Sequence, residues 1–144
     1  MAVIFQCLKG QFSARILYRY LAALCFIFWG LIFAAWLGYP AENKYSIMTH
    51  TFSFLGSYEE KHSPVWWWLF SMAMLFWSVA GMPLVLYIYR HFVFVSKWGA
   101  RVGAALLLLG CLNIGLVGIF PDVKTPLGPT LRVTHIHEKV AIFA

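Results

Sequence analysis

The chain has 144 residues, of which 62% are hydrophobic, 19% aromatic and only 11% charged, with a mean hydropathy of +0.76. Soluble domains run at about 45–50% apolar and about 25% charged, so this composition excludes an ordinary water-soluble globule and points to an integral membrane protein. The net charge of +6 has its ordinary source in the Lys and Arg that membrane proteins place on cytoplasmic loops, so it is not a nucleic-acid footprint, and no nucleic-acid partner is expected.

Taken in chain order, residues 1–15 are not expected to form a cleavable signal peptide, because no basic region precedes a short apolar core and the following run continues to full crossing length. This segment is expected to lie along the membrane surface. Crossing the hydrocarbon takes about 20 mostly apolar residues. A first span is predicted over about 18–39, with the uncharged core LAALCFIFWGLIFAAWLGY. A second is predicted over about 65–90; Trp66, Trp67 and Trp68 mark one end and Tyr87 and Tyr89 the other, as interface anchors do. Pro83 removes one helix hydrogen bond and should bend it. A third is predicted over about 98–120, where Asn113 is the strongly polar residue. A fourth apolar run, about 135–144, is too short to cross. The expected fold class is all-α, a polytopic transmembrane helical bundle. Residues 1–144 would form a single integral-membrane domain, with three full spans and the start of a fourth, as a piece of a longer protein.

Cys7, Cys25 and Cys111 are odd in number and lack paired spacing. They read as small packing residues, not as a disulfide framework or zinc knuckle. Orientation follows from charge. Lys9, Arg15, Arg19, Arg90, Lys97 and Arg101 fall before span one or between spans two and three, and all five acids fall on the opposite side. The N-terminus is therefore expected to be cytoplasmic, in the cell membrane. Between helices in lipid, small residues permit close approach. Gly99, Gly103 and Gly110 on span three, with Ser71, Ser78 and Gly81 on span two, are the expected seam and the expected points of contact with further helices of a longer chain.

Two outward segments carry the chemistry. The first, residues 47–64, holds His50, Ser53, Ser57, Glu59, Glu60 and His62; the second, residues 120–139, holds Asp122, His135, His137 and Glu138. A serine or water nucleophile needs a His or carboxylate base within reach, and Ser53, Asp122 and His137 are suitable types on one membrane face. His135, His137 and Asp122 are also the candidate metal ligands, with zinc the ion such donors would take. His135 and His137 are two apart, which on a helix separates them by about 200°, so His-x-His alone is a weak zinc signal. The alternative is a polar loop wetted by water, with Asp122 after Pro121 acting as a turn residue.

The stretch FSFLGSYEEKHSPVWWWLFSMAMLFWSVAGMPLVLYIYRH, with Ser53, Leu55, Gly56, Pro64 and Gly81, resembles a prokaryotic multi-pass membrane family, domain of unknown function nine-nine-eight. VGIFPDVKTPLGPTLRVTHIHEKVAIFA resembles that family's Gly-x-Phe-Pro-acid motif and the His that opens its next helix, through Gly118, Phe120, Pro121, Asp122 and His137, with Ala141 on the following turn and His135 as the other choice of histidine. The resemblance implies about six spans, so it too implies a piece of a longer chain. The Ser, Asp and His types are more loosely similar to transmembrane hydrolases such as the alkaline ceramidases, which implies zinc held by His and Asp and cleavage of lipid amides. The His-x3-His ligand pair of those enzymes is absent here.

The function these readings support is a multi-pass membrane protein acting on a lipid or lipid-linked substrate at its outer face, as a hydrolase or acyl-transfer enzyme. The alternative is a non-catalytic accessory or assembly subunit. Transport is disfavoured, because spans one and two carry no midplane charge.

Overall fold

A computed structural model describes residues 6–57, 64–120 and 141–142. Among these, the chain is helical with no strand. Three helices are long and apolar enough to cross a membrane: α1 (Ala14–Leu37), α2 (Trp67–Phe92) and α3 (Lys97–Ile119). At 24, 26 and 23 residues and about 1.5 Å per residue, each exceeds the roughly 30 Å hydrocarbon thickness. The fourth run falls outside the described residues apart from Ala141 and Ile142, which are helical.

Local chemistry sets the helix ends. Ser13 caps α1, its Oγ accepting the Ile16 N–H at 3.4 Å. Gly38 and Pro40 then stop the helix. The α2–α3 connection is a tight turn, in which the Val95 and Ser96 N–H groups both donate to the Phe92 carbonyl, at 3.0 and 3.1 Å. Ser96 caps α3 by accepting the Gly99 N–H at 3.1 Å. So short a turn makes α2 and α3 an antiparallel hairpin, and α2 packs against both other long helices. One end of the bundle carries the 38–66 connection and Phe120 (the loop end). The other carries residues 6–13 and the 93–96 turn (the turn end).

Pro83 is buried inside α2 and has no N–H for the Val79 carbonyl. One residue along, the Ala80 carbonyl accepts the Tyr20 hydroxyl of α1 at 2.6 Å. A neighbouring helix thus bonds to the backbone one residue from the carbonyl that the proline deprives of its helix partner.

The α2–α3 seam is made of small residues, at positions partly different from those expected. A Cβ added to Gly118 would lie 2.8 Å from the Ser71 carbonyl oxygen, and one added to Gly115 would lie 2.7 Å from Ser78 Oγ. At Gly81 it would meet Cys111 Sγ at 3.2 Å. The α2 stripe is the expected Ser71, Ser78 and Gly81. On α3, however, the stripe is Cys111, Gly115 and Gly118. Gly103 meets nothing within 4 Å, and Gly99 meets its own cap, Ser96. The reason is phase: residues 111, 115 and 118 repeat at i, i+4 and i+7, about a 100° step round the helix from the face of Gly103 and Gly110.

The buried cluster lies toward the loop end and comprises Ile32, Ala35, Leu55, Phe70, Ala73, Met74 and Val117. Elsewhere the long helices expose bulky apolar side chains, such as Phe26 at 82% and Leu106 at 63%. Such exposure would drive aggregation in water and is ordinary against lipid.

Candidate functional site

The loop end carries the one sequence-predicted site residue that is described, Ser53. Asp122, His135, His137 and Glu138 lie outside the described residues, as do Glu59, Glu60 and His62.

The connection from α1 to α2 folds back onto the bundle. Its two ends are tied where the Val65 N–H donates to the Gly38 carbonyl at 2.8 Å. Gly38 sits close under Trp66; a Cβ there would be 3.3 Å from the indole. Between these ends lie two short 3-10 turns, η1 (Ala41–Asn43) and η2 (Phe52–Gly56).

The sequence of η2 explains its seat. Leu55 is 2% exposed and joins the core of α1 and α2, while Phe52 stacks edge-on against Phe70 with centroids 5.4 Å apart. Gly56 lies flat on the Phe70 ring: an added Cβ would sit 2.3 Å from Phe70 Cδ1, so no larger residue fits without repacking. Ser57 and Pro64 are also fully buried. The loop is therefore a lid keyed into the bundle through Leu55, Gly56, Ser57 and Pro64, while Ile47 and Met48 stay exposed.

Ser53 stands on this lid but is only half-buried, its Oγ 3.0 Å from Thr51 Oγ1. Beside it the loop holds an aromatic nest. His50 lies 5.8 Å from Tyr39, 5.6 Å from Tyr45 and 5.8 Å from Phe54, centroid to centroid. Its Nδ1 accepts the Ser46 N–H at 3.4 Å and lies 2.8 Å from Thr49 Oγ1. An N–H can only donate, so the neutral ring carries its proton on Nε2. His50 thus faces its own turn through Nδ1 and does not present that atom as a base to Ser53. Burial pushes the Tyr39 and Tyr45 phenols above their ordinary value, with the neighbouring Tyr45 adding to the shift at Tyr39. Both remain hydroxyl donors at neutral pH.

Residue type selects Ser53 and notes His50 on the same loop, but does not reveal the aromatic partners Tyr39, Tyr45 and Phe54 that surround His50. The available signal was the density of aromatic residues across residues 39–54 of a loop that could have been purely polar. Among the described residues, no group of three or more His, Cys, Asp or Glu could hold a metal ion. No family model, curated protein or solved structure matches the chain.

Proposed function

We propose that this membrane protein works at its loop end, facing outward. Ser53, Asp122 and His137 form a polar site there for a lipid or lipid-linked substrate, with hydrolysis or acyl transfer as the chemistry. The observation that carries the reading is the division of labour within η2. Leu55 and Gly56 are spent on packing, whereas Ser53 is only half-buried, its hydroxyl beside that of Thr51. Val117 near the end of α3 shares a core cluster with Leu55, so the chain leading to Asp122 departs from the end that holds Ser53. His135 is the other histidine for the site, and zinc on Asp122 with His135 or His137 is the metal-assisted form of the same proposal. Membership of the domain-of-unknown-function family belongs to this proposal too. Of its described motif positions, Leu55, Gly56, Pro64, Gly81 and Gly118 are buried, which gives each a packing reason to be what it is, while Ser53 and Phe120 are half-buried.

The test is proximity. In a background lacking Cys7, Cys25 and Cys111, the Ser53→Cys/Asp122→Cys pair should form a disulfide on mild oxidation, as should Ser53→Cys/His137→Cys. A disulfide requires Cα atoms about 4.4–6.8 Å apart. Failure of both pairs in membranes, with the folded protein intact, rules the site out.

The second reading, an accessory or assembly subunit, draws on the same burial. A loop keyed into the bundle through Leu55, Gly56 and Ser57 also suits a scaffold. Under that reading Ser53→Ala and His137→Ala leave the cellular phenotype of the gene intact; loss of the phenotype with normal protein levels favours the site.

A further inference from the structure

The turn end holds a feature that the loop-end proposal does not use. Residues 6–12 double back against α2. Gly10 adopts φ +68°, and a Cβ on it would sit 2.7 Å from both Leu86 Cβ and the Tyr87 backbone nitrogen. Both the left-handed backbone and the close approach require glycine here. Phe12 pins the segment, stacking on Tyr20 at 5.1 Å and edge-on to Tyr87 at 5.7 Å. The result is a notch of about 290 Å³ lined by Gly10, Gln11, Tyr87, Arg90, His91 and Phe94.

The chemistry of the lining is specific. The His91 ring lies 4.1 Å from that of Tyr87, and its Nδ1 is 3.1 Å from the Tyr87 carbonyl oxygen. A carbonyl only accepts, so Nδ1 carries a proton and Nε2 is the ring atom left for a ligand. Arg90 adds a fixed positive charge and a planar fork of donors suited to phosphate oxygens. Arg15, Arg19, Lys97 and Arg101 surround the same end, and Arg101 lies over the Trp98 ring at 5.8 Å. Among the described residues the single acid is Glu42, at the opposite end. Beside this charge stand Phe94, 91% exposed, Val95, 82%, and Trp98, 76%. Bulky apolar groups rimming a cationic notch at a helix end match the boundary between acyl chains and headgroups.

We propose that this notch is a binding site for one anionic phospholipid. Arg90 holds its phosphate, the His91 Nε2 accepts a hydroxyl of the polar headgroup, Gln11 bonds the same headgroup, and Phe94 lies along the first part of an acyl chain. The site differs from a general attraction of basic residues to anionic membranes because the residues 6–12 segment builds a wall with a defined lining.

The experiment uses the whole chain, reconstituted in equimolar phosphatidylcholine and phosphatidylglycerol bilayers. Phospholipid retained after gentle extraction is counted by native mass spectrometry. Wild type should retain one phosphatidylglycerol in preference to phosphatidylcholine. Arg90→Gln should lower that occupancy about five-fold, the effect of one surface charge on an anionic lipid; Arg90→Lys should keep most of it. Arg15→Gln removes the same charge from the same end without touching the notch and should change little. Equal losses from Arg15→Gln and Arg90→Gln would mean diffuse attraction and overturn the site. So would retention of phosphatidylcholine as readily as phosphatidylglycerol, or displacement of the lipid by inorganic phosphate alone. Should Arg90→Gln fold poorly, His91→Ala read against Arg15→Gln makes the same distinction.

Discussion

At the scale of single residues, the loop end turns on Gly56 and Phe70. Any β-carbon at position 56 must enter the space of the Phe70 ring, 2.3 Å from Cδ1. That ring is itself fixed by Phe52 and the buried cluster. Gly56→Ala should therefore destabilise the folded protein by about 1–3 kcal/mol, the usual range for overpacking a tight core. Thermal unfolding in detergent would register it as a lowered midpoint. Pairing it with Phe70→Leu should relieve the clash, so the double variant should lose less than the two single losses added together. Additive losses would mean the two residues do not meet. Ser53 and Ser57, four positions apart, differ in burial: Ser57 follows Gly56 into the core, while Ser53 is half-buried near the start of the 3-10 turn, with Thr51 Oγ1 within 3.0 Å.

At the scale of elements, helix existence was legible and helix phase was not. Uncharged runs of crossing length announced α1, α2 and α3. α1 nevertheless begins at Ala14, ahead of the predicted 18, since Ser13 caps it and Arg15 and Arg19 are accepted in its opening turns. Long basic side chains near a helix end reach the interface, so a charge there need not end a span. The face of α3 that meets α2 differs from the Gly99 and Gly103 stripe because glycines are plentiful on that helix and spacing alone does not say which stripe meets a given partner. The lid was missed because a loop's packing depends on long-range contacts, here Leu55 and Gly56 against Phe70, which no local period reveals. Of the expected site, only Ser53 could be compared; Asp122, His135 and His137 are outside the described residues. The corrected seam makes a directional prediction. Gly118→Ala drives a β-carbon to 2.8 Å from the backbone oxygen of Ser71, which cannot rotate away, so about 1–3 kcal/mol of stability should be lost. Gly103→Ala meets nothing and should stabilise by about 0.5–1 kcal/mol through a less flexible unfolded chain. Unfolding of the two variants in detergent, side by side, would reveal an inverted order if the seam ran through Gly103.

For the whole molecule, the question is which end faces the cytoplasm. Both ends of the bundle are capped by packed irregular chain, the lid at one and residues 6–12 at the other, so packing does not distinguish them. Charge does. The turn end gathers Arg15, Arg19, Arg90, Lys97 and Arg101 close to the helix termini, where basic residues act most strongly on insertion. The loop end presents Lys44 beside Glu42, with exposed Ile47 and Met48 at the lid surface. On this charge difference we propose an N-terminus on the cytoplasmic side. Lys44→Cys and Lys97→Cys, each exposed and each placed singly in the cysteine-free background, report on the two ends. A membrane-impermeant maleimide applied to intact cells should label the Lys44→Cys protein at once. It should reach the Lys97→Cys protein only after permeabilisation. The reverse pattern would move Ser53 to the cytoplasmic face, and with it the leaflet from which a lipid substrate could enter. The turn-end notch would then face the outer leaflet, where its basic rim would oppose the charge rule that orients the rest of the chain. The labelling pattern thus bears on both proposals through one physical fact, that among the described residues the two ends of this bundle differ in charge far more than in packing.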